Sequence, residues 1–309
     1  MLRVQTDLPS TFFTAPPGFG WPIITYFFLG GIAAGALLLA GLLRLFGTAA
    51  DRPYIRIASI VALVGAFISV IVLILDLSAP LRFWHMVIQN NTGRLMFKWW
   101  SPMSDGIWIL TLFSFFALVA VLESLALEDR PRLRGLRFLS RAPFHAVGAI
   151  GGIVFGLALA GYTGVLLAVT NRPLWADSSW LGIVFLFSAV STAIATLLLL
   201  SHWRNVDSAI TNDWLARFDN VTLVLEFLAI VFFLISLGGA ARALLNAWGV
   251  VLVLGVIVVG IILPLVIQRR PSHSVVLPAV LVLTGGLLLR MVIMLSSEQI
   301  HVSGVQVFR

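Results

Sequence analysis

Apolar residues along this chain neither alternate nor form narrow stripes. They run on in eight long stretches separated by polar connections, at 21–46, 54–77, 105–127, 146–169, 177–202, 216–238, 247–267 and 274–296. Each is long enough to cross a bilayer core, which takes about 20 mostly apolar residues as helix. Lipid offers backbone N–H and C=O groups no partners, so such a stretch must satisfy them within itself. The pattern predicts an all-α polytopic membrane protein with eight transmembrane helices. The first twenty residues, MLRVQTDLPSTFFTAPPGFG, have no continuous apolar core followed by a small-residue cleavage site. They are expected to form a tail and not a signal peptide.

Composition agrees: 60% of the 309 residues are hydrophobic and 11% charged, against roughly 25% charged in a soluble domain. So few charges could not cover a water-facing surface. The net charge of +7 sits between apolar spans and forms no patch, which argues against nucleic acid and for loops at an anionic lipid face. Eight spans put both termini on one side. Twelve basic residues (Arg44, Arg52, Arg56, Arg130, Arg132, Arg134, Arg137, Arg141, Arg204, Arg217, Arg269 and Arg270) fall on one side and seven (Arg3, Arg82, Arg94, Lys98, Arg172, Arg242 and Arg309) on the other. The richer side is cytoplasmic by the positive-inside rule, so the termini are expected in the periplasm. Cysteine is absent, which removes disulfides, thiolate zinc sites and an iron–sulfur cluster ligated by this chain.

The longest connection, 78–104, reads SAPLRFWHMVIQNNTGRLMFKWWSPMS. Trp84, Trp99 and Trp100 beside Arg and Lys fit an interfacial aromatic belt. An ordered reentrant segment roofing a site fits equally well, since loops of this length in compact proteins are commonly functional. Small residues dominate GGIAAG in the first span and GAIGGIVFGLALAGYTG in the fourth. They predict that these two helices pack closely together.

Ionisable groups inside a membrane are costly and are candidates for function. Asp219, Thr222 and Glu226 share a face of the sixth span at i, i+3 and i+7, with Glu226 near mid-bilayer. Ser188, Ser191, Thr192 and Thr196 form a second polar stripe on the fifth. If the stripes face each other they could carry protons; a buried structural carboxyl hydrogen-bonded to a neighbour is the alternative. Glu123, at the inner end of the third span, is a further proton-path candidate; otherwise it snorkels, or it faces the arginines of 130–141. Arg290 in the eighth span needs a partner, and Asp76 is one at similar depth.

Five histidines, at 85, 145, 202, 273 and 301, offer no facing pair within the spans, which disfavours haem b. Tyr162 in the fourth span, Tyr26 in the first, Asp76 and His85 share one level near the outer face. Quinone chemistry needs such a set, because the headgroup takes up two electrons and two protons and its carbonyls need donors.

Four strings in order, TYFFLGGIAAG, LDLSAPLRFWHMV, SPMSDGIWIL and AGYTGVLL, resemble the NrfD/PsrC family, the membrane subunits of polysulfide-reductase-like complexes. The match is strong over about 20–170 and rests on the helix pattern and Glu226 thereafter. The resemblance implies eight helices in two four-helix bundles. Residues 1–20 would be a periplasmic tail, 21–170 the bundle with the quinone site, and 171–309 the second bundle with a short tail. It implies menaquinone or ubiquinone as cofactor, no haem or iron–sulfur cluster in this chain, and a bacterial plasma membrane location. The implied partners are a ferredoxin-like subunit with several 4Fe–4S clusters and a molybdopterin catalytic subunit or multihaem cytochrome. Tyr162 matches the family's quinone-contacting tyrosine, Asp76 and Arg82 its acid and base, and Pro80 and Phe83 its turn. Asp105 stands where the family often has an aromatic residue, which adds a carboxylate near the headgroup. Tyr26 and Thr25 are candidates from the first helix. The expected function is to exchange electrons between partner clusters and the quinone pool, with His85 supplying protons and the polar stripes a route across. A proton or solute transporter is the main rival, although no unwound binding segment stands out around Pro264 or Pro278; a b-type cytochrome anchor and a site-less structural anchor are others.

Overall fold

Eight helices account for nearly all of the computed structural model, which describes residues 19–300 apart from 78, 128–130, 171, 173, 207 and 270–273, and not the side chains of 131–134, 243 and 298–300. The helices are α1 (Trp21–Phe46), α2 (Arg52–Asp76), α3 (Pro102–Ala126), α4 (Phe144–Ala168), α5 (Leu181–Trp203), α6 (Ala209–Ser236), α7 (Ala247–Gln268) and α8 (Val276–Ile300). All eight are long and apolar enough to span a bilayer, as the hydrophobic pattern predicts. Among the described residues the β structure is one bridge, Ile88 to Leu95. The tails, His273, His301 and the arginines at 3, 130, 270 and 309 lie outside the described residues, as do the side chains of Arg132 and Arg134.

Two helices are central. In the most apolar eighteen residues of α1, 78% are buried, and of α5 72%, against at most 50% in any other. The remaining helices keep large apolar side chains such as Phe67, Phe115 and Ile235 on the outside, where lipid is the natural neighbour. Along the chain α1, α2, α3 and α4 form a closed circuit of neighbours. Helix α5 packs on α1, α4, α6 and α8, and α7 lies chiefly against α8.

Small residues permit the close crossing of α1 with α4 and α5. A Cβ on Gly156 of α4 would stand 2.8 Å from the Ala34 carbonyl, and one on Gly35 of α1 would stand 2.5 Å from that of Ala189 on α5. Backbones at that separation gain dispersion contacts that bulkier residues would hold apart. The predicted α1–α4 neighbourhood is present.

Helix α6 begins seven residues before the apolar pattern does. Its first two turns are polar but held: Ser208 caps Thr211 N–H at 3.4 Å, Thr211 Oγ1 donates to Asp51 at 2.6 Å, and Tyr54 donates to Asn212 at 2.7 Å. Side-chain partners on α2 and the turn before it supply what hydropathy does not. Helix α5 starts four residues later than its pattern, because Asp177 accepts the Leu174 N–H at 2.9 Å and holds a turn there. In that turn Leu174 takes φ +74° and Trp175 is fully buried, its indole donating to the Ile293 carbonyl at 2.7 Å. In α7 residues Val251–Ile262 wind as π-helix, with buried Pro264 directly after; proline lacks the N–H an α turn would use there.

Residues 79–101 are ordered but do not re-enter the helices. Pro80–Met86 form a 3₁₀ turn and a tight turn follows at Gly93. None of the described residues 79–101 is buried. Two bonds tie the segment to α3: Trp108 Nε1 to the Met96 carbonyl at 3.0 Å and Lys98 N–H to Ser104 Oγ at 3.0 Å. With its tryptophans, the segment makes this the aromatic end of the molecule. The opposite, basic end carries Arg44, Arg52, Arg56 and Arg204.

The tight crossing makes a paired prediction. Gly35→Ala forces a methyl against a carbonyl and is expected to cost about 1–3 kcal/mol, the usual range for overpacking. Gly161→Ala meets nothing nearer than 3.8 Å and is expected to be neutral. Thermal unfolding of the two variants in detergent decides; equal midpoints would contradict the close-packing account.

Candidate functional site

Four helices bring predicted residues to the aromatic end. Tyr26 lies in the second turn of α1, Asp76 ends α2, Asp105 stands in the first turn of α3, and Tyr162 lies near the end of α4. Tyr162 is half-buried, and its hydroxyl donates to the Pro102 carbonyl at 2.9 Å. Tyr26 and Asp105 both lie within electrostatic range of that hydroxyl. Gly106 sits directly beneath the Tyr162 ring, so that any Cβ there would fall on it. The string SPMSDG therefore does three things at once: it starts α3, offers Tyr162 an acceptor, and leaves space for its ring. Tyr26 is buried against Phe27, beside Gly30 and the buried hydroxyl of Ser69.

The other predicted members of the set are not drawn together. Asp76, Arg82 and Phe83 are exposed, and among the described residues no ion pair joins Asp76 to Arg82. His85 stacks edge-on against its neighbour Trp84, with ring centroids 3.8 Å apart. The expected Asp76–Arg290 pairing is also absent. Helix α8 carries Arg290 into the protein interior instead, where it is fully buried.

There Arg290 joins the two polar stripes. Its Nε donates to the Phe27 carbonyl of α1 at 3.0 Å, and its Nη1 donates to Ser188 of α5 at 2.9 Å and to the Gly286 carbonyl at 2.6 Å. Ser191 donates to Glu226 of α6 at 2.9 Å. Ser188, which accepts from Arg290, and Ser191, which binds Glu226, are one turn apart on α5. Among the described residues no ion pair joins Arg290 to Glu226 directly. Phe28 and Phe185 flank the guanidinium, 5.8 and 5.5 Å from it to their ring centroids, a favourable placement for a cation over a π face. The stripes of α5 and α6 meet at Ser191. Thr192 and Thr196 instead bond back to their own helix, to the carbonyls of Ser188 and Thr192 at 2.6 and 2.7 Å.

Towards the basic end Asp219 is buried and accepts from Gln268 of α7 at 2.8 Å. It borders a cleft of about 170 Å³ with Asn212, Asp213 and Pro278. Thr222, between Asp219 and Glu226, donates to the Phe218 carbonyl at 2.8 Å. Glu123 does not snorkel. It is buried, paired with Arg44 and 2.5 Å from His145 Nδ1, while His145 Nε2 lies 3.1 Å from the Arg44 carbonyl.

Residues 10–302 match the family described as polysulphide reductase, NrfD. The chain belongs to that family. Similarity to individual relatives runs nearly end to end. The protein NrfD of Escherichia coli K12 is 30% identical over 311 residues, covering 90% of this chain and 94% of the relative. The C-chain of polysulfide reductase from Wolinella succinogenes is 26% identical, covering 90% and 93%. The NrfD homolog of Haemophilus influenzae is 28% identical, covering 84% and 86%. The NrfD match thus extends through the second half of the chain, well past the 20–170 that the motifs alone delimit.

Gln268, Ser69 and the Arg44–His145 pair around Glu123 are not foreseen from the sequence. Gln268 sits beside the charged loop and has no periodic signal. Ser69 is one hydroxyl in an apolar run. For Glu123 a signal existed, since Arg44, Glu123 and His145 all lie at the basic ends of spans one, three and four.

The Arg290–Glu226 centre of this NrfD protein makes its own prediction. Arg290 satisfies three buried acceptors, and leaving such groups unpartnered costs about 1–3 kcal/mol each. Arg290→Gln is therefore expected to destabilise strongly, whereas Glu226→Gln, which can still accept from Ser191, is expected to cost little. Unfolding midpoints in detergent measure this; equal losses for the two variants would contradict the account.

Proposed function

We propose that this chain is the quinone-reactive membrane subunit of a bacterial respiratory oxidoreductase. It would lie in the plasma membrane with both termini periplasmic and exchange electrons between a partner's 4Fe–4S clusters and menaquinone or ubiquinone. The observation that carries the reading is the convergence of Tyr26, Asp105 and Tyr162 at the aromatic end, inside the 21–170 segment. When bound, the quinone would supply the two-electron, two-proton redox chemistry. The residues fit it: a headgroup has flat apolar faces and two oxygens, and here aromatic rings adjoin two hydroxyls and a carboxylate. The Tyr162 hydroxyl already donates to Pro102 but keeps its lone pairs, so it can accept from a quinol, or turn its hydrogen towards a quinone oxygen. Asp105 can hold a proton within range of it. Asp76 and His85 would serve as proton carriers at the exposed rim, and Arg82 and Phe83 as part of the surface around the site.

The aromatic end also suits a ferredoxin-like partner, itself bridging to a molybdopterin subunit or multihaem cytochrome. Leu81, Leu95, Trp99 and Trp100 are each at least 66% exposed there, and aromatic residues are favoured at protein interfaces. Electrons arriving at that face have a short way to Tyr162. In the 171–309 half we assign Asp219, Glu226, Ser191 and Ser188 to a proton route from the basic end, with water joining them. Arg290 would not carry the proton but hold Ser188 in place and tie it to α1 beside Tyr26.

Two substitutions separate these assignments. Tyr162→Phe keeps the ring and deletes one hydroxyl. A lost hydrogen bond costs about 0.5–1.5 kcal/mol, so quinone affinity should fall roughly three- to tenfold, while dye-linked activity of the partner persists. Unchanged quinone kinetics would remove Tyr162 from the site. Glu226→Gln keeps size and hydrogen bonding. It is expected to slow quinone turnover or abolish basic-side proton uptake, read with a pH dye in proteoliposomes. Normal turnover with normal uptake would make Glu226 a structural carboxyl.

A further inference from the structure

The larger of the two described cavities, about 590 Å³, opens at the basic end and has no place in the proposed redox site. It lies between the ends of α1, α2, α3, α4 and α5. Four arginines, Arg44, Arg52, Arg56 and Arg204, and His145 line it against one carboxylate, Glu123. Glu123 is buried at its floor and already engaged by Arg44 and His145. The cavity therefore carries a strong positive excess concentrated at its mouth, where Arg52 and Arg204 are exposed.

Its deeper wall is of another kind. Ile57, Ile60, Val61, Ala120 and Leu200 line it, and Val61 lies nine residues beyond Arg52 in α2, roughly 13 Å along the helix. The cavity so runs from headgroup level into the hydrocarbon, cationic at the top and apolar below. A neutral headgroup has no use for several guanidiniums. A free phosphate would leave the apolar wall uncovered. A phosphate joined to an acyl stem matches both parts, because arginine forks suit phosphate oxygens and basic pockets between spanning helices hold anionic lipid heads.

We propose that this cavity binds one anionic phospholipid, its phosphate held between Arg52 and Arg204 at the mouth and its first acyl carbons lying along Ile57, Ile60 and Val61. The Glu123–Arg44–His145 group forms the floor and orients Arg44 without competing for the phosphate.

The test is native mass spectrometry of the full chain in its purified complex. The detergent-delipidated complex is exposed in turn to phosphatidylglycerol, phosphatidylcholine and inorganic phosphate. One phosphatidylglycerol should be retained in preference to phosphatidylcholine. Arg52→Gln with Arg204→Gln should weaken retention about tenfold or more, while the Lys pair at the same positions keeps most of it. Val61→Trp, which fills the apolar wall and leaves every charge in place, should also expel the lipid. Equal retention of the two lipids, an unaffected Gln pair or an unaffected Val61→Trp would overturn the proposal. So would displacement of phosphatidylglycerol by millimolar inorganic phosphate, which would identify a free anion as the ligand.

Discussion

A guanidinium in the hydrocarbon interior cannot stand alone, and much of this structure follows from satisfying one. Arg290 has to find acceptors and a counter-charge far from water. It takes a carbonyl from α1, a hydroxyl from α5, a carbonyl from its own helix and the field of Glu226 on α6. Four helices must therefore meet at one level with side chains small enough to let them in. Gly31 on α1 and Gly286 on α8 answer that demand. A Cβ on Gly31 would stand 2.8 Å from Arg290 Nη2, and one on Gly286 3.4 Å from Nη1. The small residues and the charge are parts of one solution, since neither would be tolerable without the other.

The number of helices, their ends to within a few residues and the α1–α4 crossing were legible from apolar runs and glycine stretches, because lipid permits so few alternatives. Partners across helices were harder to read. The polar first turns of α6 look like loop to a hydropathy argument, which starts the helix at 216 in place of 209. That shift of seven residues puts Glu226 near mid-bilayer and Arg290 higher, on different levels. Counted from the true starts, Glu226 lies seventeen residues into α6 and Arg290 fourteen into α8. The two then fall within about one helical turn in depth, where Ser188 and Ser191 of α5 meet them. The information that α6 starts early resides in Asp51 and Tyr54 of another segment, and no local pattern displays it.

At the aromatic end, Tyr162 and Tyr26 could be grouped from depth and residue type, with Asp105 added by the family resemblance, and the structure does set the three near one another. Asp76 and Arg82 share a motif, yet sequence proximity in a 3₁₀ turn does not make a contact, and both side chains point outward. Glu123 illustrates the converse. Read singly, it is a carboxylate at a helix end, free to reach water. The Arg44 and His145 that enclose it come from α1 and α4, and only the closed circuit of the first four helices makes the three residues neighbours.

The link from Arg290 to α1 ends on the main-chain oxygen of Phe27, one residue from Tyr26. A carbonyl is present whatever side chain occupies position 27, so substitution there cannot delete the acceptor. What could delete it is a change of winding: one residue gained or lost between Phe27 and Gly35, where α1 packs on α5, would turn the acceptor about 100° around the helix. The connection between the two halves of the molecule is thus written in the phase of a helix and not in the identity of a residue. It would survive wide sequence drift while forbidding even the smallest insertion.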